Sequence, residues 1–297
     1  MNIFSTGWSD GFDGPGRRWV IHLKGCSFRC RWCANPEGLR SEPDLLFTPG
    51  IHRDADSACP RGAVRRIDGE LILDRVVCRS CSDKPCVRHH RHPAFRWAGE
   101  TISVSEIAGR ADLYRPLFGS DGGVTLSGGE PTLQLDECIA CFDALRRLNI
   151  HTAIETNASS PSFASLLGQT DCLICDLKCV DPSRHRAWTG CDNAIVLENI
   201  RLAVCGQPGA RIRIPLVRGL NDDTDEQRRI VDFLGSLNGS GDQWSIEVLR
   251  FHQMGAPKYR ALGLPYSMTD NDIPEIETAD KLVNSLKQAG LSAVRAS

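Results

Sequence analysis

Three cysteines stand close together near the beginning of the chain. Cys26, Cys30 and Cys33 follow an apolar run that is typical of a β-strand, in the segment WVIHLKGCSFRCRWCANPEG. A structural zinc site needs four protein ligands, and this loop contains no fourth cysteine or histidine. Three thiolates therefore suit an iron–sulfur cubane in which one iron is left open for a cofactor or substrate. Three buried core cysteines and a zinc-binding loop remain as alternative interpretations.

Four more cysteines, Cys59, Cys78, Cys81 and Cys86, lie in the stretch 40–100, which is rich in Arg, Asp, Pro and Cys and has little hydrophobic periodicity. This stretch interrupts a regular alternation of strand-like and helix-like segments, so it is predicted to be a cysteine-rich insertion. The other seven of the fourteen cysteines lie in apolar or helical contexts. Most of those are predicted to be small buried hydrophobic residues.

The overall composition indicates a soluble globular protein. Of the 297 residues, 41% are hydrophobic and 24% are charged, and the net charge is −2 without a long basic run. Nucleic acid and membranes are therefore not expected as partners. The N-terminus has no apolar signal segment and the chain has no run of about 18 apolar residues, so a cytoplasmic location is predicted. In that reducing compartment cysteines favour metal or redox roles over disulfides.

The elements that must position these residues alternate between strands and helices. Six strands are predicted at Trp19–Leu23, Val124–Ser127, His151–Glu155, Cys172–Asp176, Arg211–Leu216 and Ser245–Phe251. Helical periodicity is found at Ser103–Leu113, Leu135–Leu148, Asp192–Cys205, Thr224–Leu237 and Glu275–Ala289. The alternation predicts a parallel sheet with right-handed crossovers, either open or closed into a full or partial barrel. In such folds the chemistry lies at the C-terminal ends of the strands.

Several polar motifs follow the predicted strands. In VTLSGGEP, Gly128 and Gly129 allow the backbone to approach a ligand closely, and Glu130 adds a carboxylate. In CDLK, Asp176 and Lys178 place opposite charges on one face of an extended segment. Such a pair complements a zwitterionic amino acid; an exposed salt bridge is the alternative interpretation.

The spacing CxxxCxxC after the first predicted strand resembles the signature of the radical S-adenosylmethionine (SAM) superfamily. The resemblance implies that the three cysteines hold a catalytic 4Fe–4S cluster, whose open iron chelates the amino and carboxylate groups of SAM. It also implies that the cofactor is contacted by Gly128, Gly129, Glu130, Asp176, Lys178 and His252, the last at the ribose or adenine. A monovalent cation near the cofactor carboxylate is implied at Glu155, Thr156 and Asp176.

A second motif narrows the resemblance. The DGPG turn formed by Asp13, Gly14, Pro15 and Gly16 closely resembles a motif of the activating enzymes of glycyl radical enzymes, the family of pyruvate formate-lyase activase. There the motif helps to grip the glycine-bearing loop of the partner. Four other segments look like the same family: CANP, SGGEPTLQ, TGCDNAIVLENI and FHQMGAPKY. The resemblance covers about residues 7–265. It implies an α/β fold, a partial (β/α)6 TIM-like barrel of residues 1–39 and 101–297 with a ferredoxin-like insertion at 40–100.

Ferredoxin-like insertions of this family carry two C-x2-C-x2-C-x3-C-P runs, in which the fourth cysteine of each run ligates the other run's cluster. Here the first run keeps only its last cysteine, Cys59, and the second has His90 in place of its fourth cysteine. Cys59, Cys78, Cys81 and Cys86 therefore form one complete set, which implies one auxiliary 4Fe–4S cluster. Zinc is the alternative, because the step before Cys86 is widened. An electron relay and a structural role are both open.

The resemblance implies an oxidoreductase that needs no residue acting as acid or base. Flavodoxin or ferredoxin supplies a low-potential electron, SAM is cleaved reductively to a 5′-deoxyadenosyl radical, and this radical abstracts a hydrogen atom. The expected substrate is the α-carbon of a glycine in a partner glycyl radical enzyme, and the activating enzyme is expected to be a monomer. One alternative is an enzyme of the same descent that acts on a small metabolite or peptide. Another is an electron carrier without enzymatic activity.

Overall fold

The computed structural model describes residues 1–50, 52, 54–88, 92–237 and 244–296, so His89 and His90 lie outside the described residues. The strands in these ranges are β1 (Asn2–Asp10), β2 (Arg17–Leu23), β3 (Asp44–Phe47), β4 (Val64–Ile67), β5 (Glu70–Leu73), β6 (Phe95–Ala98), β7 (Glu100–Thr101), β8 (Gly123–Gly128), β9 (His151–Thr156), β10 (Cys172–Asp176), β11 (Ala210–Leu216), β12 (Trp244–Arg250) and β13 (Ala293–Ala296). The main sheet has the order β13-β12-β11-β10-β9-β8-β2-β1-β7. Adjacent strands of this sheet are parallel from β2 through β8 to β13, whereas β1 is antiparallel to both β2 and β7.

The helices of the described ranges are α1 (Arg75–Ser80), α2 (Pro85–Arg88), α3 (Val104–Phe118), α4 (Leu135–Arg147), α5 (Pro182–Thr189), α6 (Ala194–Gly206), α7 (Thr224–Gly235), α8 (Ala256–Leu262) and α9 (Ile276–Gln288). The longer helices α3, α4, α6, α7 and α9 lie between strands of the main sheet and pack against it, and the other helices of these ranges are shorter. In α4 the buried residues Cys138, Cys141, Phe142 and Leu145 recur at helical spacing, which forms its sheet-facing side. Within the described ranges no helix has the length and apolarity to cross a membrane.

The predicted α/β fold with a parallel sheet is confirmed, and all six predicted strands and five predicted helices are present. The other seven strands in the described ranges, β1, β3 to β7 and β13, were not predicted. β1 has the sequence NIFSTGWSD, whose small and polar residues give a weak strand signal, and pairing with β2 stabilises it. β13 is a short edge strand of four residues.

The two faces of the main sheet differ in chemistry. On β11, Ile212 and Ile214 are fully buried in the apolar core under the helices, and the residues between them point the other way. We call this second side the polar face, because it carries Arg18, Thr125, Ser127, His151, Glu155, Asp176, Arg211, Arg213 and Glu247. Such a concentration of charge on one side of a parallel sheet indicates a ligand-binding interior.

The insertion forms a small unit beside the barrel. It contains the antiparallel pair β3–β6, the hairpin β4–β5, and the short helices α1 and α2. Its own apolar cluster includes Leu45, Phe47, Leu73 and Phe95, which are separate from the core under the main sheet. The main sheet resumes with β7 after β6, and the boundary of the insertion at residue 100 stays a prediction.

Candidate active site

A cavity of about 250 Å³ lies where the parallel strands end. Its walls come from the loop after β2 and from the ends of β8 to β12. Ten residues singled out in the sequence line it: Cys26, Cys30, Cys33, Gly128, Gly129, Glu155, Thr156, Asp176, Lys178 and His252. Side chains that are distant in sequence thus surround one space, because parallel strands bring their carboxyl ends to one edge of the sheet.

The loop that carries the three cysteines is held against β8 by backbone contacts. The amide of Gly129 donates to the Leu23 carbonyl at 2.9 Å, and the amide of Glu130 donates to the Gly25 carbonyl at 2.7 Å. A Cβ atom at Gly129 would lie 2.1 Å from the Gly25 oxygen and 2.6 Å from the Gly38 oxygen. The packing of the loop itself therefore requires glycine at this position, in addition to any close approach of a ligand.

The three cysteines of the loop are free thiols. The amide of Phe28 donates to Sγ of Cys26 and the amide of Asn35 to Sγ of Cys33, both at 3.4 Å. Burial raises the pKa of Cys26 to about 11, and it also raises the pKa of Cys30 and of Cys33. Burial thus disfavours the thiolate, which is the form that binds a metal.

The arrangement of these thiols suits a cluster. Within the parts of the chain that the structure describes, no group of three or more His, Cys, Asp or Glu side chains is arranged to hold a single metal ion. A cubane takes each cysteine on a different iron, so its ligands surround a space instead of meeting at a point. Three thiols around one cavity fit that requirement, and three ligands leave the fourth iron open.

Opposite charges border the same cavity. Lys178 donates from Nζ to Oδ2 of Asp176 at 2.7 Å. Burial works to lower the pKa of Lys178, but the adjacent Asp176 carboxylate outweighs it, so the pKa is raised. A permanently charged ammonium beside a carboxylate can pair with both ends of a zwitterionic amino acid.

Known proteins are similar in sequence to this chain over most of its length. The family model of the radical SAM superfamily matches residues 20–229, which include the cysteine loop and the ends of β8 to β11. The chain belongs to the radical SAM superfamily. The solved structure of Streptococcus suis SuiB bound to S-adenosylmethionine aligns with 67% of this chain and 44% of its own, with a TM-score of 0.51 and 15% identity. That likeness supports the fold.

Within the superfamily, this radical SAM protein is similar to activating enzymes. It is 36% identical to the (2S)-3-sulfopropanediol sulfolyase activating enzyme of Bilophila wadsworthia, over 86% of each chain. It is 31% identical to the 4-hydroxyphenylacetate decarboxylase activating enzyme of Clostridioides difficile, over 89% of this chain and 86% of that protein. It is 32% identical to the choline trimethylamine-lyase activating enzyme of Oleidesulfovibrio alaskensis, over 94% and 91%. The chain is accordingly a radical SAM oxidoreductase of the activating-enzyme family, and its family uses a 4Fe–4S cluster and SAM.

Glu130 lies behind the cavity wall of the radical SAM site. Its fully buried carboxylate accepts hydrogen bonds from Thr132 (3.1 Å from N, 2.5 Å from Oγ1), Thr156 Oγ1 (2.6 Å) and the amide of Asn157 (2.7 Å). Asn157 in turn directs Nδ2 to Sγ of Cys26 at 3.7 Å. Glu130 therefore positions two residues of the cavity wall, Thr156 and Asn157. The contact between Glu130 and the cofactor that the resemblance implied stays a prediction.

Arg213 lines the cavity and was not singled out in the sequence. On the polar face its guanidinium donates to the carboxylates of Glu155 and, at 3.0 Å, Glu247. Burial works to lower the pKa of Arg213, but the two carboxylates outweigh it and raise the pKa. Its signal in the sequence is the alternation in ARIRIPL, which puts Arg211 and Arg213 on one side of β11.

The oxygens expected to share a monovalent cation already have partners. Glu155 accepts from Ser127 Oγ at 2.7 Å and from Arg213. The Thr156 hydroxyl donates to the buried carboxylate behind the wall, and Asp176 is paired with its lysine. The site therefore does not fit the cation that the resemblance implied, because a fixed guanidinium neutralises the carboxylate that the ion would have bound.

The DGPG turn at Asp13–Gly16 does not line the cavity. It is the hairpin loop between β1 and β2, so it follows a strand that the sequence analysis missed. Its first carbonyl accepts from Thr125 Oγ1 at 2.6 Å, which places the turn on the polar face. Arg213 also donates to the neighbouring Phe12 carbonyl. One guanidinium thus joins the loop predicted to grip a partner to the cavity predicted to hold the cofactor.

His252 stands at the rim of the cavity, two residues after β12. Its exposed ring accepts a hydrogen bond from the Met254 amide through Nδ1 at 3.4 Å, which caps a short 3-10 helix. The cap orients the ring, and the implied contact with the ribose or adenine stays a prediction.

The four cysteines of the insertion lie near one another. Burial raises the pKa of Cys86 to about 11, and the neighbouring thiols of Cys59, Cys78 and Cys81 add to the rise. Lys84 has a positive φ of 44° and donates from Nζ to the carbonyls of Cys78 (2.6 Å) and Cys81. The widened step of the sequence pattern is thus a turn that folds the last cysteine back toward the others.

Proposed function

We propose that this enzyme installs a radical on the α-carbon of a glycine in a partner glycyl radical enzyme. The observation that carries the proposal is the link through Arg213 between the DGPG turn and the cavity that gathers the three cysteines. The relatives over most of the chain, all named as activating enzymes, support the same activity. A substrate loop that lies along the polar face would reach the cavity from the side of the turn.

Each part of the cavity has a role in this proposal. Cys26, Cys30 and Cys33 hold the catalytic 4Fe–4S cluster, which supplies, when bound, the one-electron cleavage of SAM. Asp176 and Lys178 bind the amino and carboxylate groups of the cofactor, next to the backbone of the double glycine. His252 contacts the ribose or adenine at the rim. The buried walls exclude water and so protect the radical from side reactions.

The deciding experiment is anaerobic electron paramagnetic resonance. The reconstituted enzyme is incubated with SAM, a reductant and a candidate glycyl radical enzyme, with the C30A variant as the control. We expect a glycine-centred doublet on the partner and formation of 5′-deoxyadenosine, both absent with Cys30→Ala. If 5′-deoxyadenosine forms with a small metabolite or peptide and no candidate partner gives the doublet, the enzyme acts on a small substrate and the proposal fails.

We also propose that Cys59, Cys78, Cys81 and Cys86 hold one auxiliary 4Fe–4S cluster in a ferredoxin-like insertion at residues 40–100. The proximity of the four thiols and their partial burial support a four-thiolate site. Iron and acid-labile sulfide should fall together by about half in Cys78→Ala, because one of two four-iron clusters is lost. Zinc in the purified protein, with no loss of sulfide in the variant, would contradict the assignment.

The electron donor in this proposal is a flavodoxin or ferredoxin, and the enzyme itself works as a monomer. Both parts are open to measurement. Reduced flavodoxin and ferredoxin should each support 5′-deoxyadenosine formation in place of a chemical reductant. Sedimentation of the cluster-loaded enzyme should give the mass of one chain, and a concentration-dependent dimer would contradict the monomer.

A further inference from the structure

A second cavity, of about 490 Å³, lies between the insertion and the barrel. Its lining contains five basic residues and one acidic residue, which are Arg29, Arg40, Arg75, Arg79, Lys84 and Asp44. We call it the basic cleft. An excess of positive charge in a cleft focuses the field and attracts anionic partners from solution.

The charges of the basic cleft are largely available to a partner. Arg29, Arg75 and Lys84 donate to main-chain carbonyls, which orient the groups without neutralising them. Arg79 is exposed on α1. Arg40 lies 3.5 Å from Glu42 and 3.8 Å from Asp44, and its side chain is 53% exposed, so solvent screens both pairs. The cleft therefore has positive groups held by main-chain carbonyls and exposed positive groups at its rim.

The basic cleft borders both sets of cysteines. Cys78 of the insertion is part of its lining, next to Arg79. On the opposite side, Arg29 is part of the catalytic loop between Cys26 and Cys30, and its Nη1 donates to the Cys26 carbonyl at 2.7 Å. A partner seated in the cleft would therefore touch the polypeptide that holds each proposed cluster.

The shape of the lining suits a protein surface. Apolar residues such as Leu39, Trp97 and Leu262 lie among the basic ones, and Arg29, Arg40 and Arg79 are exposed. An apolar centre with a charged rim is the usual anatomy of a protein–protein interface. Complexes of electron-transfer proteins are small and depend on complementary charge for their rate of association.

We propose that the basic cleft is the docking site for an acidic electron-donor protein. The inference rests on the proposed function, which requires a low-potential donor. The reduced donor binds with the acidic surface around its redox group, gives up one electron and leaves oxidised by one electron, and the cluster-loaded enzyme gains that electron. Docking between the two cysteine sets keeps the transfer distance to either cluster short.

The test compares a protein donor with a small one. The double variant Arg40→Glu/Arg79→Glu reverses two exposed charges of the cleft, and Arg147→Glu/Arg228→Glu makes the same change on the exposed sides of α4 and α7. For the wild type and each variant, the rate of 5′-deoxyadenosine formation is measured at varied concentrations of the electron donor, which gives kcat/KM for that donor. The donors are reduced flavodoxin and, separately, photoreduced 5-deazaflavin, an uncharged reductant.

We expect the cleft variant to lose at least about tenfold in kcat/KM with flavodoxin at low salt and to match the wild type with deazaflavin. The control variant should match the wild type with both donors. Added salt should slow the wild type with flavodoxin and narrow its difference from the cleft variant, because screening removes the attraction.

Two results would overturn the docking site. One is an unchanged flavodoxin rate in the cleft variant, which includes the case in which the cleft binds only a small anion such as inorganic phosphate. The other is an equal loss with both donors, which would mean damage to the enzyme itself. If the wild type makes no 5′-deoxyadenosine even with deazaflavin, it is the proposed function that fails.

Discussion

Arg213 donates to the Glu155 carboxylate from a strand two positions away in the sheet. The same guanidinium reaches Glu247 at 3.0 Å and the carbonyl of Phe12. It therefore satisfies two carboxylates on the polar face and fastens the DGPG hairpin to them. A carboxylate that is paired with a buried guanidinium costs less free energy to bury than an unpaired carboxylate. The pairing with Arg213 therefore explains why Glu155 is tolerated at the cavity wall.

This pairing predicts that SAM binding does not depend on a monovalent cation. The dissociation constant of SAM, measured by anaerobic calorimetry, should agree within about twofold in potassium and in tetramethylammonium buffers. Glu155→Asp is one methylene shorter, which withdraws the carboxylate from Arg213 and leaves it free to bind a cation. This variant should therefore bind SAM about threefold or more tightly in potassium than in tetramethylammonium. Wild-type binding that strengthens strongly with potassium would show that the guanidinium does not replace the ion.

The double glycine predicts a matched pair of variants. Gly129→Ala places a Cβ 2.1 Å from a backbone oxygen of the cysteine loop and should destabilise the protein by about 1–3 kcal/mol and lower cluster incorporation. Gly109→Ala lies in α3, where a Cβ meets no atom within 4 Å, and should be neutral or stabilising by up to about 1 kcal/mol. Denaturant unfolding of the apoprotein and iron analysis check both. Equal stability of the two variants would contradict the packing role.

Glu130 is predicted to act through its hydrogen bonds. Glu130→Ala removes the acceptor of Thr132, Thr156 and Asn157 and should lower the free energy of unfolding by about 2–3 kcal/mol, because buried donors are left unsatisfied. Glu130→Gln keeps one acceptor oxygen and should lose less. The unfolding free energy of the apoprotein separates this role from direct cofactor binding, since a residue that only touched SAM would leave the apoprotein unchanged.

Cys30→Ala should abolish the cleavage of SAM and lower the iron content by about half, because one of the two proposed four-iron clusters is lost. Cys205 is exposed on α6 and serves as the matched control, since Cys205→Ala should keep full activity and iron. The measurements are 5′-deoxyadenosine formation and iron per chain. Full activity of the Cys30 variant would refute the assignment of the catalytic loop.

Much of the fold could be predicted because its signals are local. The apolar period of α4 and the strand ahead of Cys26 are visible within single segments, and so is the three-cysteine spacing. β1 could not be predicted in this way, because its stability comes from pairing with β2 and not from its own residues. The burial of Glu130 also escaped prediction, since its partner Thr156 comes from the next strand of the sheet.

By itself the sequence determined the cysteine loop, the motifs at the strand ends and the parallel order of the elements that carry them. Only the tertiary structure decided that Arg213 meets Glu155, although 58 residues separate them, and that Arg29 and Arg79 share one cleft. The physical reason is that strand register and the seating of the insertion depend on contacts between distant segments. A charged side chain in the sequence has no assigned partner until those contacts form.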